Sequence, residues 1–139
     1  MKKILFINSS LTGGGSERVM AVLANKFSND YDVSMILLRD IRPDTYKVSS
    51  NVKLIRFNKK SNKKIVIALD RFIRLRKTIK KINPDYIISF MYDINIMTLI
   101  SAIGLHKRII VSERADPKNR KANEIIRPIE LLTYRMAYK

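Results

Sequence analysis

The sequence contains no cysteine and no tryptophan, a single histidine at His106, and only four glycines and four prolines. Without cysteine there is neither a disulfide framework nor a thiolate metal site, which fits a reducing compartment. One histidine cannot assemble a metal centre by itself. No apolar run approaches the roughly 20 residues that cross a bilayer, and residues 4–7 of "MKKILFINSS" are too few for a secretory signal core. Acids are scarce as well. Twelve Asp and Glu face 28 Lys and Arg, a net charge of +16 that far exceeds what solubility asks of 139 residues. Such a balance calls for an anionic partner: nucleic acid, an anionic membrane surface or a phosphorylated substrate. The length suits one domain, and 46% hydrophobic beside 29% charged residues argues for a folded chain.

The apolar pattern alternates strands with helices. Residues 3–8 form a short apolar run of the buried-strand type, and Val19, Val22, Leu23 and Phe27 recur at helical spacing over 16–27, with Ser16 available as N-cap. Residues 33–38 are a second apolar run, closed by Asp40, Pro43 and Asp44, which completes a βαβ unit. A third strand is expected over 51–57, followed by the polar loop "NKKSNKK". Residues 64–82 then place Ile65, Leu69, Phe72, Leu75, Ile79 and Ile82 on one stripe and basic residues elsewhere, a basic amphipathic helix. A fourth strand at 86–91, an apolar helix at 94–103, a fifth strand at 108–113 and a last helix at 123–139 follow. The fold class implied is α/β, a Rossmann-like and mainly parallel sheet with helices on both faces, in a single domain over 1–139.

In such a sheet ligands bind beyond the carboxyl ends of the strands, where three loops gather: 9–16, 92–95 and 113–119. The first, "SSLTGGGSER", holds three of the four glycines. Gly13, Gly14, Gly15 and Ser16 there either make a tight strand-to-helix turn or also leave helix N-terminal amides bare for a phosphate. A dinucleotide fingerprint is a weaker reading. Gly13 and Gly15 match its first two glycines and Asp40 could take the ribose acid's place, but Arg18 stands where the third glycine belongs. No lysine follows the glycines, which excludes a P-loop. In the second loop Tyr92, Asp93 and Asn95 offer groups suited to sugar hydroxyls, or Asp93 or Asn95 simply caps the next helix. In the third, Glu113 and Arg114 can meet a substrate or pair with each other, and Asp116 before Pro117 can contact the acceptor or hold an Asx turn.

Taken in order, "INSSLTGGGSERVMAVLANKFS", "NPDYIISFMYDIN" and "IIVSERADP" resemble the consecutive motifs of the N-terminal half of family 4 glycosyltransferases of GT-B fold, in a subgroup acting on bacterial surface polysaccharides. The resemblance implies a retaining enzyme, usually metal-independent and with no cofactor, that moves a sugar from a nucleotide-sugar donor to a glycan or lipid-linked acceptor. It further implies that this half holds the acceptor while Gly13, Gly14 and Gly15 meet the donor diphosphate. The main nucleotide-sugar site would sit in a C-terminal domain, in cis or on a partner chain. The chain ends on "YRMAYK" without that domain, so it is expected to be inactive alone. Many relatives carry a sugar-contacting histidine after the fifth strand; "SERAD" stands there instead, so that role does not carry over to Glu113 or Arg114, which are the candidate catalytic residues on their own chemistry: Glu113 to accept from a sugar hydroxyl or orient the acceptor, Arg114 to balance phosphate charge.

Between positions 59 and 81 ten Lys or Arg accompany one acid, Asp70. The bland reading is a solvated helix face. The functional one is peripheral attachment to an anionic membrane through Lys63, Lys64, Arg71, Arg74, Lys77, Lys80 and Lys81, since each such residue near the surface contributes about 1 kcal/mol. That places the protein in the cytoplasm on the inner face of the cell membrane. Nucleic acid is not expected as a partner, because aromatics are not interleaved for base stacking and no reader motif is present. A non-catalytic basic module that binds membranes or a partner protein is the alternative from another functional class.

Overall fold

The computed structural model describes residues 1–39, 41, 43–58 and 63–113, with the side chain of Lys64 excepted. The expected helix at 123–139, Asp40, Arg114 and Asp116 lie outside the described residues. Eight elements follow one another: β1 (Lys3–Asn8), α1 (Gly15–Phe27), β2 (Asp32–Leu37), β3 (Lys53–Arg56), α2 (Lys64–Ile82), β4 (Tyr86–Phe90), α3 (Tyr92–Ser101) and β5 (Arg108–Ser112). The strands form one sheet in the order β3-β2-β1-β4-β5, parallel at every pairing. This is the expected Rossmann-like arrangement. The sequence order reverses at β1, which runs between β2 and β4, so the loops after β1 and β4 flank the switch point where such sheets bind ligands.

The near-continuous apolar runs of the strands arise because both faces of the sheet are covered. Ile4 and Phe6 of β1, with Val33, Met35 and Leu37 of β2, pack against Met20, Ala21 and Ala24 of α1. Leu5 and Ile7 of β1 point the other way, toward Leu75 and Ile79 of α2 and Ile94 and Leu99 of α3. Full burial of a side chain such as Leu5, Phe6 or Ile7 contributes about 1.5–3 kcal/mol. The central strand therefore anchors both layers.

Two helix ends use devices that periodicity does not reveal. α2 stops at Asn83, whose left-handed backbone (φ 51°, ψ 58°) returns its N–H to Ile79 O, at the end expected for the helix over 64–82. α3 is capped from outside: the Arg76 guanidinium of α2 donates to Ser101 O at 2.9 Å and Ile103 O at 2.8 Å. A cation at a helix C-terminus meets both the unpaired carbonyls and the negative end of the dipole. Arg76 therefore ties the two helices on this face together.

The apolar stripe expected on the basic helix is buried over only part of its length. Leu75 and Ile79 are fully buried, but Ile65 is 76% exposed and Leu69 57%, with Val66 and Ile73 exposed beside them. The fully buried positions of α2, Leu75 and Ile79, both lie in its C-terminal half. The N-terminal half carries an apolar strip into solvent.

Candidate functional site at the carboxyl edge

The carboxyl ends of β2, β1, β4 and β5 lead in that spatial order to Arg39, Ser9, Met91 and Glu113. Neighbouring strands thus bring the glycine loop, the start of α3 and Glu113 to one edge, as their positions in the sequence require.

The glycine loop is built around a carboxylate. Helix α1 begins at Gly15, with Gly14 as N-cap, so Ser16 lies inside the first turn and is not the expected cap. Glu17 at the third helical position reaches back instead. Its Oε2 accepts from Gly13 N at 2.7 Å and Gly14 N at 2.8 Å, and its Oε1 accepts from Ser10 Oγ at 2.5 Å. This is the acid half of a capping box, with a glycine where the reciprocal Ser or Thr would stand. Burial pushes the Glu17 carboxyl up, but hydrogen bonds from Ser10 and from the backbone of Gly14, Gly13 and Thr12 outweigh it and hold the group below its ordinary range. The expectation that all three glycines offer bare amides is therefore corrected. Gly13 and Gly14 have given theirs to Glu17, whereas the first-turn amides of Gly15 and Ser16 have no intrahelical acceptor.

The three glycines differ in what they require. Gly13 has φ +149°, a conformation that side-chain-bearing residues rarely adopt. A Cβ on Gly14 would touch the Glu17 side chain at 3.6 Å, an ordinary contact, and one on Gly15 would meet nothing within 4 Å. The outer wall of the loop comes from the β2–β3 connection, where Thr45 Oγ1 donates to Thr12 O at 2.6 Å and Thr45 N to Leu11 O at 2.8 Å.

The start of α3 is also shifted from its expected position. The helix opens at Tyr92 after Met91, which sits at φ 72° and ψ 139°, and no side chain caps it. Asp93 and Asn95 are consequently in the first turn rather than at a strand end or an N-cap. Asp93 is half-exposed and lies 3.8 Å from the Arg39 guanidinium. Asn95 is fully buried. Its Oδ1 accepts from Ser89 Oγ at 2.8 Å and its Nδ2 donates to Ser112 O at 3.2 Å, so it braces β4 and β5 and is no surface for an acceptor. Tyr92 is half-buried and Glu113 exposed at this edge. Asn8, at the carboxyl end of β1, was not singled out from the sequence, where it reads as one of several small polar residues ending the strand. It is fully buried, Oδ1 accepts from Ser9 N at 2.8 Å, and Nδ2 has no partner among the described residues.

Of the seven cations expected at a membrane, Lys63, Lys77, Lys80 and Lys81 are exposed. Arg71 is half-buried, and burial together with the nearby Arg39 charge lowers its pKa. Arg74 is taken up by the fold: it lies over the Phe57 ring at 4.4 Å, donates to Asn58 O at 3.1 Å and pairs with Asp70 at 3.3 Å. None of the described helices is long and apolar enough to cross a membrane. A groove of about 500 Å³, lined by Lys3, Asp32, Lys53, Thr78 and Lys81 among others, opens at the opposite edge of the sheet, away from the strands' carboxyl ends.

No family model matches the chain. Over 121 residues it is 34% identical to the GalNAc-α-(1→4)-GalNAc-α-(1→3)-diNAcBac-PP-undecaprenol α-1,4-N-acetyl-D-galactosaminyltransferase of Campylobacter jejuni, an alignment covering 84% of this chain and 33% of that enzyme. Among solved structures, the apo lipopolysaccharide outer core galactosyltransferase WaaB superposes with a TM-score of 0.70 at 16% identity, covering 97% of this chain and 37% of that one. Sucrose-phosphate synthase of Thermosynechococcus elongatus gives 0.66 at 14% identity, over 97% and 39%. A putative UDP-N-acetylglucosamine 2-epimerase of Listeria monocytogenes gives the same TM-score and identity over 99% and 37%, so the fold alone does not choose between transfer and epimerisation. The chain spans about a third of the length of the curated relative it matches. By sequence the chain is a relative of a glycosyltransferase, as the motifs of its strand-end loops led one to expect, and by fold it is a Rossmann-like domain of the kind found in GT-B glycosyltransferases.

Proposed function

We propose that the chain is the acceptor-side domain of a retaining, metal-independent glycosyltransferase that moves a sugar from a nucleotide-sugar donor to a lipid-linked glycan. The observation that carries this reading is the 34% identity over 121 residues to a transferase whose named acceptor is a glycan on undecaprenyl diphosphate. The edge geometry supports it. Gly15 and Ser16 present first-turn amides that have no intrahelical acceptor to the donor diphosphate at the positive end of α1, and Tyr92, Asp93 and Glu113 stand one and two strands away for acceptor hydroxyls. Asn95 keeps β4 and β5 in register beneath them.

The membrane part of the proposal draws on α2. Exposed Lys63, Lys77, Lys80 and Lys81 supply attraction to an anionic surface, and exposed Ile65, Val66, Leu69 and Ile73 supply apolar area that water disfavours. An enzyme whose acceptor is anchored in a bilayer gains from residing there, on the inner face of the cell membrane. Glycan assembly on undecaprenyl diphosphate, incubated with nucleotide sugars and an enzyme that joins this chain to a donor domain, tests the reading. Transfer should persist in EDTA. A requirement for added divalent cation would overturn metal independence, and absence of transfer with every donor would overturn the reading as a whole.

A further inference from the structure

We propose that the groove at the amino edge of the sheet is a second ligand site, one that takes a small soluble phosphate monoester. It opens away from the glycine loop, so an occupant leaves the loops at the strands' carboxyl ends uncovered.

The groove follows from the strand register. β1, β2 and β3 begin at Lys3, Asp32 and Lys53; Lys3 stands directly opposite Asp32, and Lys53 stands opposite Ser34, two residues further along β2. Alternation along each strand puts these three side chains on the face that α2 covers, the face of Leu5, Ile36 and Ile55. Helix α2 supplies the other wall through Thr78, Lys81 and Ile82, which share one side of its last turns. Between the walls lies a cavity of about 500 Å³, within the range that holds small organic ligands.

Charge selects the ligand. Three ammonium groups line the groove with one carboxylate, and that carboxylate is already engaged, since Lys53 Nζ donates to Asp32 Oδ1 at 2.8 Å. Among the described residues the side chains of Lys3 and Lys81 pair with no carboxylate, and Lys3 Nζ reaches the Ile82 carbonyl only at 3.5 Å. The lining therefore carries two positive charges in excess, which a phosphate monoester, at about −1.5 to −2 near neutral pH, matches. Its shape fits as well. Ammonium groups carried by β1, β3 and α2 come from separate elements, as a tetrahedral phosphate can accept them, whereas a planar carboxylate is met best by an arginine fork, and no arginine is among the described lining residues. Half-buried Ile55 and Ile82 give the organic part of the ester an apolar surface. The apolar strip that α2 exposes, from Ile65 to Ile73, lies toward the other end of the helix, so the groove is set for a soluble molecule and not for a bilayer headgroup.

The test is a titration of the isotope-labelled 139-residue chain with glucose 6-phosphate, inorganic phosphate, succinate and glucose at constant ionic strength, read at the backbone amides. Glucose 6-phosphate should give saturable shifts at Lys3, Lys53, Thr78 and Lys81 and bind more tightly than inorganic phosphate or succinate, while glucose should shift none of them. Lys3→Gln and Lys81→Gln, both at exposed positions, should each weaken the ester about three- to tenfold. Lys47→Gln, which removes an exposed cation outside the groove, should leave its affinity unchanged. Shifts that scatter over the basic surface without saturating, equal losses in Lys47→Gln and Lys81→Gln, or succinate or inorganic phosphate binding as tightly as the ester would each overturn the proposal, and none of them bears on sugar transfer at the opposite edge.

Discussion

Ser89 Oγ donates to Asn95 Oδ1 at 2.8 Å, a buried hydrogen bond that locks the first turn of α3 onto the strand it has just left. The same amide donates onward to Ser112 O, so one side chain holds two strands and a helix at the edge where the candidate site lies. Asn95→Leu would leave the Ser89 hydroxyl buried without its acceptor, at a cost of about 1–3 kcal/mol. Denaturant titration should show a lowered midpoint with little change in slope. An unchanged midpoint would mean that the Ser89–Asn95 bond stabilises nothing.

Glu17 makes stability depend on pH. Its carboxyl titrates below the ordinary 4.5 in the folded chain, so its contribution is fully present above that value and is lost as pH falls through the folded pKa. Glu17→Gln should therefore lower the denaturation midpoint at neutral pH and narrow its gap to the wild type in acid, below about pH 4. A gap that stays constant across this range contradicts the assignment.

The glycines should respond to substitution in opposite ways. Gly13→Ala forces a side chain into φ +149° and should destabilise by about 1–3 kcal/mol. Gly15→Ala meets open space at a helical position and should be neutral or stabilise by about 0.4–1 kcal/mol. Gly15→Leu should likewise fold, while covering the Gly15 and Ser16 amides and abolishing sugar transfer by the two-domain enzyme. Retained turnover in a folded Gly15→Leu enzyme would remove the phosphate contact.

Vesicle co-sedimentation addresses α2. Binding should require anionic lipid, weaken from low to high salt, and fall in both Lys77→Glu and Leu69→Asp, since the exposed strip combines charge with apolar area. Arg74→Gln should bear mainly on stability, because that guanidinium is already held by Phe57, Asn58 and Asp70. Equal binding to neutral vesicles would contradict the electrostatic part.

The parallel sheet, its element order and the edge carrying the candidate site were legible because buried parallel strands and amphipathic helices leave strong periodic signals. α1 and α2 matched their expected spans to within a residue, while α3 begins two residues early. Its start depends on the left-handed Met91, a conformation no pattern of apolar residues announces. The function of Glu17 was hidden for a related reason. In sequence it is an acid beside glycines; only the fold of the loop brings its carboxylate back to Gly13 and Gly14. The stripe of α2 was legible as amphipathic but not as half exposed, because periodicity records a face and not what covers it.

The most direct measurement is the identity of the product formed from a nucleotide sugar and a lipid-diphosphate glycan by the enzyme that joins this chain to a donor domain. Mass spectrometry and anomeric proton couplings should show the acceptor heavier by one sugar, linked in the donor's own anomeric configuration. An acceptor left unchanged while the nucleotide sugar is epimerised, or an added sugar of inverted configuration, would contradict the account.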